Sequence, residues 1–379
     1  MTLHISAGFD AGNVQVLDAS NPQKVKLAIV KDHNSEHYQW FHFRVSGARG
    51  VPLGLELTNA GGASYTGGWV NYHAVASTDR VHWRRVPTTW DADAGVLRIE
   101  HTPDHDQVWY AYFAPYSLER HRDLVARCGE SPLATLHCLG STLDGRDLDL
   151  VQVGEPAEGK LNLWLIARQH PGESMAEWWM EGFLPRLLDA DDPLARSLRE
   201  KAVFYVVPHM NPDGSYRGHL RTNAAGVNLN RVWHDPKMET EPEVALVRDR
   251  MDATGVDFCL DVHGDEALPY NFIAGAEGIP GFTEKQLSLQ ERFKSAYVRA
   301  NPDFQTQHGY PVARPGKGNL SMCTAQIAHR FGCLSMTLEM PFKDNANAPN
   351  PEFGWSPERC RKLGASTLDA LAAVIDDLR

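Results

Sequence analysis

His170 and Glu173 stand three residues apart around a Pro-Gly turn, in Ala167-Arg168-Gln169-His170-Pro171-Gly172-Glu173-Ser174. The turn follows an apolar run, Leu161 to Ile166, so a strand end can aim an imidazole and a carboxylate into one pocket. Zinc takes imidazole nitrogen at ~2.0–2.1 Å and carboxylate oxygen at ~2.0–2.2 Å. A catalytic zinc needs three protein ligands and one open position. The third falls on His263, which closes a second run, Val256-Asp257-Phe258-Cys259-Leu260-Asp261-Val262, and is followed by Gly264. A strand-end His is by itself more often a hydrogen-bonded structural residue. Together His170, Glu173 and His263 read as a site for one zinc ion per chain.

Such a site needs a general base to move protons between water and a leaving group. The candidate is Glu339 in Cys333-Leu334-Ser335-Met336-Thr337-Leu338-Glu339-Met340-Pro341. It is the only acid in an apolar, strand-like stretch, where acids are rarely buried without a partner. Between the two histidines lie the turn signal Asn211-Pro212-Asp213-Gly214, then Arg221, then Gly226-Val227-Asn228-Leu229-Asn230-Arg231. Two arginines and an asparagine in one segment suit the clamping of a carboxylate, which Arg grips with two parallel donors.

In this order the motifs resemble the zinc carboxypeptidases, and the cytosolic carboxypeptidase branch in particular. Thr337-Leu338-Glu339, the short interval from Arg221 to Asn230, and the run Tyr110-Ala111-Tyr112-Phe113-Ala114-Pro115-Tyr116-Ser117 carry the likeness to that branch. The resemblance spans about residues 105–345. It implies zinc on His170, Glu173 and His263, with Glu339 as general base and acid. It implies that Arg221 polarises the scissile carbonyl and that Asn230 and Arg231 bind the terminal carboxylate of a peptide or protein tail. Two departures stand out. The family usually has Asp where Asn228 stands, as partner to the first zinc histidine, so either the uncharged Asn228 amide takes that place and zinc is held more weakly, or a carboxylate such as Asp213 serves. Members that remove glutamate carry basic residues near the last catalytic strand. Leu320 to Ala328 has none, although Arg314 and Lys317 precede it. A tyrosine near the substrate is common in the wider family, and Tyr270 and Tyr310 both qualify by position.

These residues need strands to carry them. Beyond residue 117 apolar runs alternate with helical spacing: Leu118–Cys128, Ser174–Leu184 with Ser174 as N-cap, Pro242–Ala253, Glu284–Arg299 and Ser356–Arg379. That alternation predicts an α/β/α fold around a mixed sheet over 117–379. Residues 1–116 differ. Tyr38–Val45, Trp69–Val75, Val81–Val86, Gly95–Ile99 and Gln107–Phe113 read as short strands between turn signals. They predict an antiparallel β-sandwich whose many aromatic residues are packing residues rather than a carbohydrate platform.

A chain of 379 residues suggests two domains, and 42% hydrophobic with 22% charged residues is an ordinary globular composition. The net charge of −11 argues against nucleic acid or an anionic membrane as partner. The six cysteines, at 128, 138, 259, 323, 333 and 360, form no Cys-x-x-Cys pair. With no export signal and no membrane-length apolar run, the cytoplasm is the expected compartment. The reading is therefore a zinc metallocarboxypeptidase, with glutamate-ended tails as the family expectation. Its rivals are a zinc amidohydrolase of small N-acyl amino acids, similar to aspartoacylase, and a non-catalytic peptide-binding relative.

Overall fold

The computed structural model describes residues 3–379. The N-terminal part forms two five-stranded sheets. One runs His4–Ser6, His42–Ser46, Gln107–Ala111, Val75–Ser77, Arg84–Arg85 in spatial order. The other runs Gln15–Asp18, Val25–Ala28, Leu53–Leu57, Val96–His101, Thr88–Asp91, and its pair Val25–Ala28 with Leu53–Leu57 is parallel among antiparallel neighbours. Phe43, Val45, Leu55, Leu57, Leu97, Ile99, Val108 and Tyr110 share one core without exposed surface. Trp40, Trp69, Tyr72 and Tyr112 are buried in it too, which accounts for the aromatic density as packing. Trp69–Val75 is not a strand: Gly67 and Gly68 turn the chain through a 3-10 helix, Thr66–Trp69, before the strand Val75–Ser77 begins.

The C-terminal sheet has seven strands, in the order Ala134–Ser141, Asp147–Val153, Ala202–Val207, Leu161–Ala167, Phe258–Asp265, Leu334–Pro341, Phe272–Ala274. The central four are mutually parallel and the outer pairings antiparallel. Alternate side chains of a strand face opposite sides of its sheet. Leu163 and Leu165 accordingly join the core that includes the helices Met175–Leu187, Glu284–Ala300 and Pro357–Ala372. Trp164 and Ile166 join a second core with the helices Pro242–Thr254 and Cys323–Phe331. Helices on both faces explain why these strands are apolar at nearly every position rather than at every second one.

Ser174 stands at the N-cap of Met175–Leu187 but does not cap it; its hydroxyl donates to the Ala114 carbonyl at 2.9 Å instead. The expected closing helix is shorter than Ser356–Arg379: it covers Pro357–Ala372 and gives way to a 3-10 turn at Ile375–Asp377. All six cysteines are free, and Cys259 and Cys333 are buried. No helix among the described residues is long and apolar enough to cross a membrane. The parallel strands end together at Ala167, Val207, Asp265 and Pro341, the edge at which open α/β sheets place their sites.

Candidate active site

The turn after Leu161–Ala167 is held before any ligand arrives. Arg168 has φ +58°, a left-handed backbone that costs free energy in a residue with a side chain, and it is 1% exposed. Its Nε donates to the Pro171 carbonyl at 3.0 Å and its Nη1 to Tyr116 at 2.9 Å, and it is ion-paired with Glu177. Gly172 donates its N–H to the Leu220 carbonyl at 2.9 Å, and a Cβ there would lie 3.0 Å from that same oxygen. The turn is therefore locked against the Leu220 segment, and only glycine fits comfortably at that contact.

Glu173 lies between two imidazoles. Its Oε1 is 2.7 Å from His170 Nδ1 and its Oε2 is 2.8 Å from His263 Nδ1. Oε2 also accepts the Gly264 N–H at 3.1 Å. All three residues are buried, and one ligand atom from each lies within 4.8 Å of the others. Burial opposes the ionised carboxyl of Glu173, but the two imidazoles outweigh it and hold its pKa below the usual carboxylate range. Burial and the nearby Arg221 charge push His170 down to about 4, so its ring is neutral and able to ligate.

The other ring nitrogens are also engaged. His170 Nε2 is 3.0 Å from Asn228 Oδ1, and His263 Nε2 is 2.9 Å from Asp261 Oδ2. An acceptor on Nε2 fixes the tautomer that leaves the Nδ1 lone pair for a metal. Two imidazole nitrogens and one carboxylate with oriented rings form a donor set that catalytic zinc sites use. Asn228 itself thus partners the first histidine. Asp213 is committed elsewhere, accepting from Thr142 Oγ1, the Asp144 N–H and Arg146 Nη1 at 2.8, 2.9 and 2.8 Å. Asp261 escaped the sequence reading. Its signal was an acid two residues before His263, on the same face of one strand. Gln169 Nε2 donates to Asp261 at 2.6 Å, and Trp233 Nε1 donates to Gln169 at 2.8 Å.

Glu339 sits opposite His263 in the register of the parallel strands Phe258–Asp265 and Leu334–Pro341. It is 7% exposed, and its Oε2 has no hydrogen-bond partner among the described residues. Burial, opposed by His263 and reinforced by the carboxylates of Glu173, Asp265 and Glu266, holds its pKa well above the usual range. Glu339 and Asn230 line a cavity of about 480 Å³ that also takes in Tyr310, Lys317, Thr324 and Thr337. Of the two tyrosines, Tyr310 lines this cavity, its hydroxyl donating to Asp265 Oδ2 at 2.6 Å, whereas Tyr270 stacks on His308 with ring centroids 4.1 Å apart. Lys317 is on the wall and Arg314 is not.

Asn230 Oδ1 accepts the Cys323 N–H at 2.8 Å, which turns its Nδ2 toward His263, 3.4 Å from Nε2. Arg221 is half-buried and lies over the Tyr65 ring, 5.3 Å from its centroid. Arg231 is exposed at the rim, outside the cavity lining, and its Nη1 donates to the Asn230 carbonyl at 2.6 Å. Desolvation and the charge of Arg221 both lower the Arg231 pKa.

Residues 5–113 match the family model of the cytosolic carboxypeptidase N-terminal domain, and residues 123–358 match that of the zinc carboxypeptidases. A crystal structure of a metallo-carboxypeptidase from Burkholderia cenocepacia is 48% identical, covers all of both chains and superposes with a TM-score of 0.96. A metallo-carboxypeptidase from Pseudomonas aeruginosa, solved in complex with (2-guanidinoethylmercapto)succinic acid, is 46% identical over 99% of this chain and 100% of that one, also with a TM-score of 0.96. Cytosolic carboxypeptidase 2 of Homo sapiens is 26% identical over 99% of this chain, which spans 45% of that protein's length. A match that takes in residues 123–358 of a 379-residue chain covers most of the molecule, and the chain belongs to the zinc carboxypeptidase family of metallopeptidases.

Proposed function

We propose that the protein removes single residues from the C-terminal ends of peptides or protein tails, with one zinc per chain on His170, Glu173 and His263. The observation that carries this reading is that three-donor cluster with the unpartnered Glu339 carboxyl, which stands opposite His263 in strand register and lines the cavity. A bound zinc supplies Lewis-acid activation of water and of the scissile carbonyl. Glu339 Oε2 takes the proton of the attacking water and returns it to the leaving amine. Arg221 donates to the carbonyl oxygen as charge develops there, and one such fixed donor is worth ~10²–10³ in turnover. Asn230 Nδ2 and Arg231 take the substrate's terminal carboxylate. Only a chain end offers that group beside the last peptide bond, so internal bonds are passed over.

The same reading favours acidic C-terminal residues. Three charged side chains besides Glu339 line the cavity: Glu277, which accepts from Gln290 Nε2, Lys294, which pairs with Glu291 at 2.8 Å, and Lys317. Neither Lys317 nor Glu277 has an ion pair among the described residues, and the preference rests on the Lys317 ammonium as the cation on the wall that can meet a substrate carboxylate. The Pseudomonas aeruginosa relative was solved with a ligand that carries two carboxylates and a guanidino cation, which supports carboxylate binding and does not bear on an acidic side chain.

The test is a panel of peptides differing only in the last residue, incubated with zinc-loaded protein. Single-residue release, fastest after Glu or Asp and blocked by a C-terminal amide, is the expected result. Turnover of N-acyl amino acids without peptide cleavage would replace this reading with the amidohydrolase.

Asn228 adds a prediction about the metal. Loss of a partner behind a ligand typically costs ~10–100-fold in metal affinity or activity. The neutral amide on His170 should therefore be improvable. Asn228→Asp is expected to tighten zinc binding by about 10-fold in competition with a chelator. An unchanged competition curve would mean that Asp261 on the other ring already supplies what the site needs.

A further inference from the structure

Arg221 lies in a segment with neither helix nor strand, yet its place is fixed from a distant part of the chain. The carboxylate of Asp32, in the loop between Val25–Ala28 and His42–Ser46, accepts four hydrogen bonds from three consecutive residues of that segment. Leu220 N–H donates to Oδ1 at 2.7 Å; Arg221 N–H, Thr222 N–H and Thr222 Oγ1 donate to Oδ2 at 2.8, 2.9 and 3.0 Å. Asp32 is 3% exposed, and its own backbone is tied into a turn by bonds to His37 and Ser35. Bonds from N–H groups to an ionised acceptor are roughly twice as strong as neutral ones. The same segment reaches the metal turn, because the Leu220 carbonyl accepts the Gly172 N–H.

The guanidinium end of Arg221 is held from the N-terminal side as well. It lies over Tyr65, whose backbone N–H donates to Gln39 Oε1 at 2.8 Å and whose carbonyl accepts from Gln39 Nε2 at 3.1 Å. Gln39 is itself fully buried and bonded to the Tyr112 hydroxyl. A buried amide thus presets the ring on which the arginine rests.

We infer that Asp32 and Tyr65 are positioning residues for Arg221, so that the two N-terminal sheets complete the active site rather than merely accompany it. Asp32 sets the backbone from which Arg221 projects. Tyr65 holds the guanidinium by a cation–π contact. The inference rests on the role proposed above for Arg221.

The experiment is a pair of double-mutant cycles on the full-length, zinc-loaded protein, read as kcat and KM on one peptide, with zinc affinity measured separately by chelator competition. Arg221→Ala is expected to lower kcat by ~10²–10³. Asp32→Asn keeps the shape but turns an acceptor-only group into one that presents N–H to N–H. It is expected to lower kcat ~10-fold or more while zinc affinity stays within about 2-fold, because a misplaced donor fails chiefly in the transition state. The deciding readout is the combination. If Asp32 acts through Arg221, the variant with both changes is no slower than Arg221→Ala alone. Losses that multiply would overturn the inference, as would an Asp32→Asn enzyme with normal kcat. Should Asp32→Asn fail to fold, Tyr65→Leu at the half-exposed ring runs the same cycle, with the same outcomes. Normal kcat in Arg221→Ala would instead remove the role assigned to Arg221, and the positioning inference with it.

Discussion

Glu339→Gln should lower peptide turnover by ~10²–10⁴, the range that a positioned acid–base group contributes. Zinc should still bind at one equivalent, because Glu339 is not among the three donor residues. The substitution should also leave the fold as stable as before or more so. In the parent protein a carboxyl is buried with one oxygen unpartnered, near Glu173, Asp265 and Glu266. An amide of the same shape removes that repulsion and carries no charge to desolvate. A group that costs stability where it stands, yet lies opposite His263 of the three-donor cluster, is what a catalytic role would require. Peptide hydrolysis, metal analysis and a thermal melt on one preparation separate the outcomes. A variant within about 10-fold of parental turnover would put the proton transfer on another group. Loss of both zinc and activity would make Glu339 part of the metal site instead.

The residues that the sequence pointed to and those it hid differ in how far their partners lie along the chain. His170 and Glu173 share one turn, and His263 and Glu339 end apolar runs, so local spacing was enough to single them out. The structure brings all four together because parallel strands end at one edge. Arg221 and Arg231 are close in sequence, yet only their local conformation decides that Arg231 stays at the rim. Asp32 contacts Arg221 across 189 residues, and no periodicity reports such a pairing. Asp261 was hidden differently, inside a run read as strand filler, where an acid paired to the next same-face histidine looks like any buried polar residue. Among the N-terminal strands, Gln15–Asp18 is exposed at every position and so shows no alternation. In Leu53–Leu57 the pattern is broken by Gly54, which is glycine because the Gln23 carbonyl would lie 2.2 Å from a Cβ there. Cys323–Phe331 opens with polar residues and was read as a stretch lacking a base rather than as a helix.

Arg168→Met should be the most destabilising single change near the metal turn, by about 3–5 kcal/mol. Arg168 and Glu177 are buried together, and removing one charge strands the other in a medium that cannot solvate it. The loss also frees the Pro171 carbonyl and relaxes the left-handed backbone, so zinc affinity should fall with stability. Glu177 keeps one further cationic partner, His121, whose Nδ1 is 3.0 Å from Oε1. Burial alone would push the His121 pKa down, but hydrogen bonds with Asp149 and Glu177 outweigh it and raise it to about 9. His209, whose ring centroid is 5.4 Å from that of His121, is held far below the usual range by burial and stays neutral. A raised folded pKa stabilises fully below the unfolded value near ~6.5 and loses that contribution as pH rises through the folded one. In the Arg168→Met variant His121 carries the compensation of Glu177 alone. The deficit against the parent protein in urea unfolding should therefore widen between pH 7 and pH 10. Replacing the pair together, as Arg168→Met with Glu177→Leu, removes the stranded charge and should recover much of the loss, since apolar substitutes for a buried pair are often neutral or better. If the double variant were no more stable than Arg168→Met alone, the weight of Arg168 would lie in its bonds to Pro171 and Tyr116, and the ion pair would be incidental to the turn that presents His170 and Glu173.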